Sequence, residues 1–434
     1  MSKQWRVNSN QRPTTSTQRP APSPEPRAPS SQRPLLLVLL VALLMVACSQ
    51  DGEQMVLTIE AALEDMGTPA GDGAGSALAA APTETTTPAV RSDTPTPLAT
   101  AVPQPTATLA PTAIPGLIGP ADFPDDVNPL TGEQVADPAT LERLPLAVKV
   151  ANMARVRPQA GLNQADLVFE HYSEGGITRF TAIFYTNTPK RVGSVRSARL
   201  IDLEIPLMYD AAFGFSGSSH QIKEMIRESL FFERIISPDY GHSGFWRTFD
   251  DKNPSAFQVD SLFTNTEDLR AILAERGLDV APQLRNGMAF HPDPPPGGEP
   301  ATEVEIIYTG TGIFWQLQPR SREYARWSDG ARHTDASTGE LLSFKNVVVV
   351  YAEHVNTEII EDTGGSPSIQ IRIWGEGPAV IFRDGQRYDG LWRREHPEEM
   401  LSFYNQEGQI LPLAPGNTWF ELVPLGFENL ASRP

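Results

Sequence analysis

The chain has 434 residues and a formal net charge of -18, long enough for two domains of ordinary size and a substantial tail. Such an acidic chain argues against non-specific nucleic-acid binding, because a duplex repels an acidic surface. Its single cysteine, Cys48, excludes an intramolecular disulfide, a cysteine-based zinc site and a thiol nucleophile in the folded region.

The first predicted element is an apolar run at residues 35–48 that ends at Cys48. As a helix the run would span roughly 20 Å, short of the roughly 30 Å hydrocarbon core of a membrane. It therefore fits the apolar core of a signal peptide better than a membrane-spanning helix. The basic segment before it, residues 1–34, favours a cytoplasmic position for the N-terminus.

The four residues that end at Cys48, MVAC, resemble a bacterial lipobox. In such a sequence the cysteine thiol receives a diacylglycerol. We therefore expect membrane lipid at Cys48 and a protein that lies on the outer face of the cytoplasmic membrane. A single N-terminal signal anchor with a buried cysteine is the alternative, and either arrangement exports the rest of the chain.

Residues 49–119 form the next segment, and from Gly67 to Gly116 they are mostly Thr, Pro, Ala and Gly with very few charges. This composition cannot bury enough apolar surface to offset the entropy of ordering. We predict a disordered tether, stiffened by proline, that could hold a folded domain more than roughly 100 Å from the membrane.

Two folded domains are predicted after the tether, and the first covers residues 120–290. Its signals are three strand-like runs and two helical runs, at 145–152, 165–172, 177–186, 218–236 and 265–277. The proline-rich stretch 291–301 marks a boundary. The second domain, 301–425, has strand-like runs between turns, and Asp384-Gly385 predicts a two-residue type I′ hairpin loop. The predicted fold class is α+β, with a mixed first domain and a smaller, antiparallel β-rich second domain.

The first domain contains a predicted hairpin whose register decides which side chains share a face. A two-residue loop at either Glu174-Gly175 or Gly175-Gly176 places Glu170, Tyr172 and Arg179 on one face of the sheet. Because strand residues alternate, the opposite face would then face the core. The residues predicted for that core face are Phe169, Phe180, Ala182 and Phe184. We expect the charged face to be only partly buried.

Further arginines follow this hairpin. Arg196 and Arg199 are spaced i,i+3 and meet on one side if the stretch is helical. Guanidinium groups bind carboxylate or phosphate bidentately. We expect an arginine-lined cleft for an acidic ligand, built from Glu170, Tyr172, Arg179, Arg196 and Arg199. The alternative is an internal salt-bridge network with the carboxylates of Glu170, Glu174, Asp202 and Glu204.

The same segment resembles a known family. Its matching residues are Arg157-Pro158-Gln159, Gly161-Leu162, Ala165-Asp166, Glu170, Gly175 to Phe180 and Val195 to Arg199. They resemble the RPQSGL, ADIVYE, EGGITRF and VRSAR pattern of the YerB-like bacterial lipoproteins, and the C-terminal half resembles the second domain of that family. The resemblance covers roughly residues 120–425. It implies a two-part domain of unknown function and no established activity.

No complete catalytic motif accompanies the arginines. The stretch GFSGSSHQ lacks the second glycine of a serine-hydrolase elbow, and the histidines show no H-E-x-x-H spacing. The leading hypothesis is an envelope-associated binding module for an acidic glycan or peptide, with no cofactor, no metal and no nucleic-acid partner. A cell-wall hydrolase or transferase that uses Glu170 or Glu174 as general acid or base is one alternative. A structural salt-bridge network without a ligand is the other.

Overall fold

The structure is a computed structural model that describes residues 114–248 and 258–434. The basic segment 1–34, the apolar segment with Cys48 and the tether up to residue 113 lie outside the described residues. The last residues assigned to the tether, 114–119, belong to the fold, because the backbone N–H of Ile118 donates to the carbonyl of Phe290 at 2.9 Å. Within the described ranges no helix is long and apolar enough to cross a membrane.

The N-terminal half consists of short strands and short helices. The strands are β1 (Leu146–Ala151), β2 (Leu167–Tyr172), β3 (Thr178–Phe184), β4 (Val192–Gly193), β5 (Ala212–Gly214), β6 (Ile235–Ile236), β7 (Phe245–Arg247) and β8 (Leu262–Thr264). The α-helices are α1 (Ile205–Met208), α2 (His220–Arg227) and α3 (Thr266–Glu275).

The predicted helices are confirmed in type, and one is shorter than predicted. Helix α3 is capped at its start by the Asn265 side chain, which accepts a hydrogen bond from the Asp268 N–H at 2.7 Å. Helix α2 ends at Arg227, well before the predicted end at residue 236. The residues at that end form β6 instead, because they pair with β5 in the sheet, and this pairing outweighs the helical periodicity of the sequence.

The C-terminal half is built from strands. They are β9 (Glu299–Pro300), β10 (Glu303–Ile307), β11 (Gly312–Gln318), β12 (Glu323–Ser328), β13 (Ala331–Arg332), β14 (Ser343–Phe344), β15 (Asn346–Ile360), β16 (Pro367–Arg372), β17 (Gly375–Arg383), β18 (Gln386–Arg394), β19 (Ser402–Tyr404), β20 (Thr418–Pro424) and β21 (Leu430–Arg433). The predicted two-residue hairpin loop is confirmed, since Asp384 and Gly385 join β17 to β18 with φ of 55° and 76°, as a type I′ turn requires.

One twelve-stranded sheet contains strands from both halves, in the order β19-β18-β17-β15-β20-β2-β3-β1-β5-β6, with β16 and β9 paired at its side. Strand β20 lies between β15 and β2 and runs parallel to both. Strands β10 to β14 and β21 form a separate, antiparallel six-stranded sheet, as predicted, but β9 and β15 to β20 belong to the large sheet, so the prediction of a separate β-rich second domain holds only in part. Strands dominate the described residues, so the α+β prediction holds only in that both kinds of element are present.

The two faces of this sheet bury different cores. Phe169 and Phe420 lie in one core, together with Ile222 of α2. Val168 and Trp419, their neighbours in sequence, lie in the other core with residues of β10 and β11, which belong to a six-stranded sheet. One face of the large sheet is therefore covered by helices α1 and α2, and the other by the smaller sheet together with helix α3.

The connection between β2 and β3 differs from the prediction. Glu170 pairs with Phe180, and the loop covers residues 173–177. The N–H of Ser173 donates to the carbonyl of Ile177 across this loop at 2.8 Å. The loop is longer than the two residues expected, and this changes the register by one residue.

A one-residue change in register exchanges the faces of a strand. Glu170 and Tyr172 share their face with Phe180, whereas Arg179 lies on the opposite face with Phe169. The predicted grouping of Glu170 with Arg179 is therefore wrong. The predicted partial exposure is wrong as well, since Glu170 is 0% and Arg179 is 4% exposed.

Candidate functional site

A buried ion pair joins the two halves of the chain. Glu170 of β2 and Arg326 of β12 are both fully buried, and Glu170 Oε2 lies 2.6 Å from Arg326 Nη2. The other oxygen of Glu170 accepts hydrogen bonds from Asn152 at 2.9 Å and from Thr178 at 2.7 Å. These bonds offset the desolvation of the carboxylate.

Arg326 lies between aromatic rings and a second carboxyl group. Its guanidinium carbon is 4.6 Å from the ring centre of Trp419 and 5.5 Å from that of Trp315. Glu421 lies beside Glu170 on the parallel strand β20 and accepts a hydrogen bond from Trp315 Nε1 at 3.1 Å. Burial, and next the charge of Glu170, raise the pKa of Glu421 well above 4.5, so its carboxyl group favours the protonated form beside Arg326.

Other residues of the N-terminal segment also contact the C-terminal half. Each belongs to, or lies beside, the motifs that carry the family resemblance. The contacts are Arg157 Nη2 to Thr311 Oγ1 at 3.0 Å, Gln159 Oε1 to His333 Nε2 at 2.6 Å, and the Thr309 N–H to the Tyr172 hydroxyl at 3.1 Å. The predicted ligand-binding residue Tyr172 is thus a contact between the halves.

On the opposite face of the sheet, Glu174 binds two arginines. Arg199 Nε donates to Glu174 Oε2 at 2.7 Å, and the Nη2 groups of Arg199 and Arg179 both donate to Oε1. Further guanidinium N–H groups donate to the carbonyls of Ser197 at 2.9 Å and Ala198 at 2.7 Å. We call Glu174, Arg179 and Arg199 the Glu174 cluster.

The electrostatics of the Glu174 cluster keep its carboxylate ionised. Burial alone would raise the pKa of Glu174, but the hydrogen bonds from Arg199 and the charges of Arg179 and Arg199 outweigh burial and hold the pKa well below 4.5. Burial, and next the charge of Arg199, lower the pKa of Arg179 to about 9. The guanidinium fork of each arginine is therefore occupied by an internal carboxylate.

A buried lysine lies close to this cluster. Lys149 of β1 lies 2.7 Å from a carboxylate oxygen of Asp202, and both side chains are fully buried. Its ammonium group also contacts Thr181 at 3.0 Å and His171 at 2.6 Å. Burial lowers the pKa of Lys149 to about 8, while Asp202 opposes this effect. Burial and the charge of Lys149 keep the pKa of His171 well below 6.5, so the imidazole stays neutral beside the ammonium group.

The remaining predicted residues lie outside the Glu174 cluster. Arg196 lies 3.6 Å from the carboxylate of Asp260, and Glu204 binds Arg394 at 2.8 Å. Arg199 also lies 3.5 Å from Glu361. Three arginines, Arg179, Arg196 and Arg199, thus face three carboxylates, Glu174, Asp260 and Glu361. Asp260 also binds Arg155 at 2.6 Å, so most, but not all, of the excess positive charge that was expected to attract an acidic ligand is matched within the protein.

An open cleft lies at another edge of the large sheet. Asp166, Lys345 and Asn417 directly precede the parallel strands β2, β15 and β20, so their positions meet where these strands begin. Together with residues of the segment 128–140 they line a cleft of about 510 Å³. We call this space the amide-lined cleft because several asparagines contribute to it, namely Asn128, Asn163, Asn187 and Asn417.

Asp166 is the most buried acid of the amide-lined cleft, at 2% exposed. It accepts hydrogen bonds from the Tyr185 N–H at 2.7 Å and from Asn128 Nδ2 at 2.6 Å. Burial raises the pKa of Asp166 to about 6, although these hydrogen bonds oppose it. Asp166 therefore anchors the base of the cleft through its own partners. None of the predicted site residues lines this cleft.

Comparison with known proteins identifies the class to which this fold belongs. The N-terminal domain model described as "Protein of unknown function (DUF3048)" matches residues 130–279, and the C-terminal domain model of the same description matches residues 304–420. The chain belongs to the DUF3048 family, and the resemblance to YerB-like proteins is confirmed.

A curated relative and a solved structure support this assignment. The chain is 31% identical over 301 residues to the Bacillus subtilis (strain 168) protein named "Putative lipoprotein YerB", covering 68% of this chain and 86% of that protein. It is also similar to the crystal structure of YerB protein from Bacillus subtilis, with a TM-score of 0.60 and 26% identity, covering 71% of this chain and 99% of that one. The family relationship is consistent with a lipid-anchored location.

Several residues that the structure places in these sites were not identified from the sequence. Glu421 is the single charged residue of the mostly apolar strand β20, and Arg326 follows Tyr324 and Ala325 and precedes Trp327; such positions indicate buried ionic groups. Asp166, Lys345 and Asn417 lie far apart in the sequence. Their proximity follows only from the parallel order of β2, β20 and β15, which no local pattern shows.

The depressed pKa of Glu174 predicts a pH dependence of stability. A carboxyl group whose pKa is lower in the folded state than in the unfolded state stabilises the fold at pH values above the unfolded-state pKa of 4.5. This contribution is lost as the pH falls from 4.5 towards the folded-state pKa. We expect the free energy of unfolding of the wild type, measured by urea denaturation of the full chain, to fall below pH 4.5. Glu174→Gln should lower it by on the order of 2 kcal/mol at pH 7 and show less further loss in acid.

The exposed pair of Lys190 and Glu267 supplies the control for this prediction. Glu267→Gln removes a carboxylate that also binds one cation, but both side chains are solvent-exposed. The free energy of unfolding of Glu267→Gln should match that of the wild type both at pH 7 and below pH 4.5. Equal effects of the two substitutions would contradict the role assigned to Glu174.

Proposed function

We propose that this protein is a membrane-tethered, extracytoplasmic lipoprotein that acts as a binding module for an envelope glycan or peptide. The lipobox-like sequence at Cys48 and the name of the Bacillus relative support the lipid anchor. The tether of residues 49–113 would give the folded part reach from the outer face of the membrane. The ligand site proposed is the amide-lined cleft.

The observation that carries this choice of site is that polar groups surround open space in the amide-lined cleft. Ligand sites are concave and contain a small number of fixed polar groups. The cleft of about 510 Å³ meets this description, with amide and carboxylate groups held on strand ends. By contrast, the Glu174 cluster fills its arginine forks with an internal carboxylate.

An acidic ligand at the arginines is the second candidate. Such a ligand would have to displace Glu174, whose side chain is 12% exposed on the loop after β2. Its carboxylate or phosphate would then take the same two guanidinium groups. Arg196 favours this candidate in one respect, since its Nε is buried without a hydrogen-bond partner among the described residues.

The alternative of a hydrolase or transferase finds less support. Glu170 is fully buried against Arg326 and does not line the cleft. Glu174 has a lowered pKa, so it does not hold the proton that a general acid must donate near neutral pH. The ionised Glu174 has the protonation state of a general base, but both of its oxygens accept hydrogen bonds from arginines and are not free to take a proton.

The lipid anchor is tested by fatty-acid labelling of cells that express the full chain. Wild type should incorporate an alkyne-tagged fatty acid and partition into the detergent phase, because the thiol of Cys48 accepts the lipid. Cys48→Ser should lose the label, while Ser49→Ala, at the next position, should keep it. Labelling of Cys48→Ser would contradict the anchor.

The binding site is tested by thermal unfolding of the detergent-solubilised full chain with a muropeptide mixture. A ligand at 100 times its dissociation constant should stabilise the native state by about 2.7 kcal/mol and raise the midpoint by a few degrees. Ala136→Trp places a large ring in the cleft and should abolish this shift.

A second variant separates the two candidate sites. If the ligand occupies the cleft, Arg196→Ala should retain the shift, because Arg196 does not line the cleft. Loss of the shift in Arg196→Ala with retention in Ala136→Trp would move the site to the arginines. A shift retained in both variants would contradict both sites.

A further inference from the structure

The lining of the amide-lined cleft carries an excess of negative charge. Four acidic side chains line it, against the single lysine Lys345. The acids are Glu133, Asp137, Asp166 and Glu323. A cleft lined mainly by one sign of charge concentrates the electric field and attracts the opposite charge.

Two amide groups of the cleft, those of Asn163 and Asn417, are already used within the protein. Asn417 Oδ1 accepts from the Lys345 N–H at 3.0 Å, and Asn417 Nδ2 donates to the Ser343 carbonyl at 3.1 Å. Asn163 likewise accepts from the Ser343 N–H at 3.2 Å and donates to the Leu341 carbonyl at 3.3 Å. The carboxylates of the cleft then matter most for a charged ligand, because they accept hydrogen bonds and do not donate.

Lys345 does not neutralise this excess. Its ammonium group donates to the Ser321 carbonyl at 2.5 Å and lies 3.6 Å from Glu323. Its stem packs on the backbone of Gly416, where an added Cβ would come within 2.1 Å of Lys345 Cγ. The lysine is thus held at the cleft wall beside Glu323. Because Asp166 is held by the Tyr185 N–H and Asn128, Glu133 and Asp137 remain without a cation from the described ranges of the chain.

Glu133 has the freest carboxylate of the four. Among the described residues no hydrogen bond or ion pair holds its side chain, whereas Asp137 accepts from the Ala139 N–H at 3.1 Å. Although Glu133 is solvent-exposed, the cleft walls desolvate its carboxylate enough to raise its pKa. The charge of Lys345 lowers this pKa, and the charge of Glu323 raises it. A cation near Glu133 would relieve this cost.

The acids of the cleft are not arranged as a metal site. In the described part of the chain no three His, Cys, Asp or Glu side chains are grouped as a metal site. Carboxylates that are not grouped in this way suit a larger, hydrogen-bond-donating cation. An ammonium group offers three donors, which matches the unused acceptors here.

We propose that the amide-lined cleft binds a primary ammonium group on a small polar ligand, held by Glu133, with Glu323 and Asp137 also lining the cleft. The ammonium group could come from an amino sugar or from the side-chain amine of a peptide, because both combine an amine with polar groups of a size that fits the cleft. This inference rests on the proposed function of the cleft and specifies the charge of its ligand.

The test is calorimetric titration of the detergent-solubilised full chain with matched probes. The amines are glucosamine and the amide of Nα-acetyl-lysine, and each is compared with its counterpart acetylated on the free amine. At least one amine should bind at millimolar concentration, and its acetylated counterpart should not. Binding of glucosamine alone would assign an amino sugar, and binding of the lysine derivative alone would assign a peptide.

Variants then locate the ammonium group. Glu133→Gln and Glu323→Gln should each weaken amine binding, the former by about tenfold or more. Glu376→Gln, an exposed carboxylate of β17 outside the cleft, should leave the affinity unchanged. Unchanged affinity in Glu133→Gln, equal binding of the acetylated probes, or no binding of either amine would overturn the inference.

The same titrations separate failure of this inference from failure of the proposed function. If muropeptides bind and Ala136→Trp abolishes that binding, but the amines fail, the cleft remains a binding site and only its preference for a cation is wrong. If Ala136→Trp leaves the binding of every probe unchanged, both the inference and the cleft as ligand site are wrong.

Discussion

The buried ion pair of Glu170 and Arg326 is the interaction on which the arrangement of the two halves depends. Transferring both charges from water is costly, and the cost is offset only by close contact and by further hydrogen bonds. The structure supplies these through Asn152 and Thr178 on the carboxylate, and through the ring of Trp419 beside the guanidinium. Because Glu170 comes from the N-terminal half and Arg326 from the C-terminal half, neither charge is matched unless the halves are joined.

This constraint explains why the charged residues of the N-terminal motifs do not form an open site. Glu170 is used inside the fold, and Gln159 contacts His333 of the other half at 2.6 Å. On the opposite face of the sheet, Glu174 occupies Arg179 and Arg199. The motifs are thus engaged in holding strands and halves together. Polar groups that face open space lie instead where three parallel strands begin, in the amide-lined cleft.

The sequence alone predicts the strands β1 to β3, helix α3 and the hairpin at Asp384-Gly385, because each depends on local periodicity, capping or turn chemistry. It does not predict that β20 inserts between β2 and β15, since parallel pairing over such a distance has no local signal. The loop after β2 shows that a one-residue change in strand register decides which side chains a site contains. The register differs by one, which separates Glu170 from Arg179 and removes the predicted cleft.

The most direct test of this account is a double-mutant cycle on the ion pair, measured by urea unfolding of the full chain. Arg326→Met should lower the free energy of unfolding by about 3–5 kcal/mol, because it leaves the Glu170 carboxylate buried and unpaired. In a Glu170→Gln background, where Asn152 and Thr178 keep an acceptor, the same substitution should cost at least about 2 kcal/mol less. Additive effects of the two substitutions would contradict the claim that this pair joins the halves.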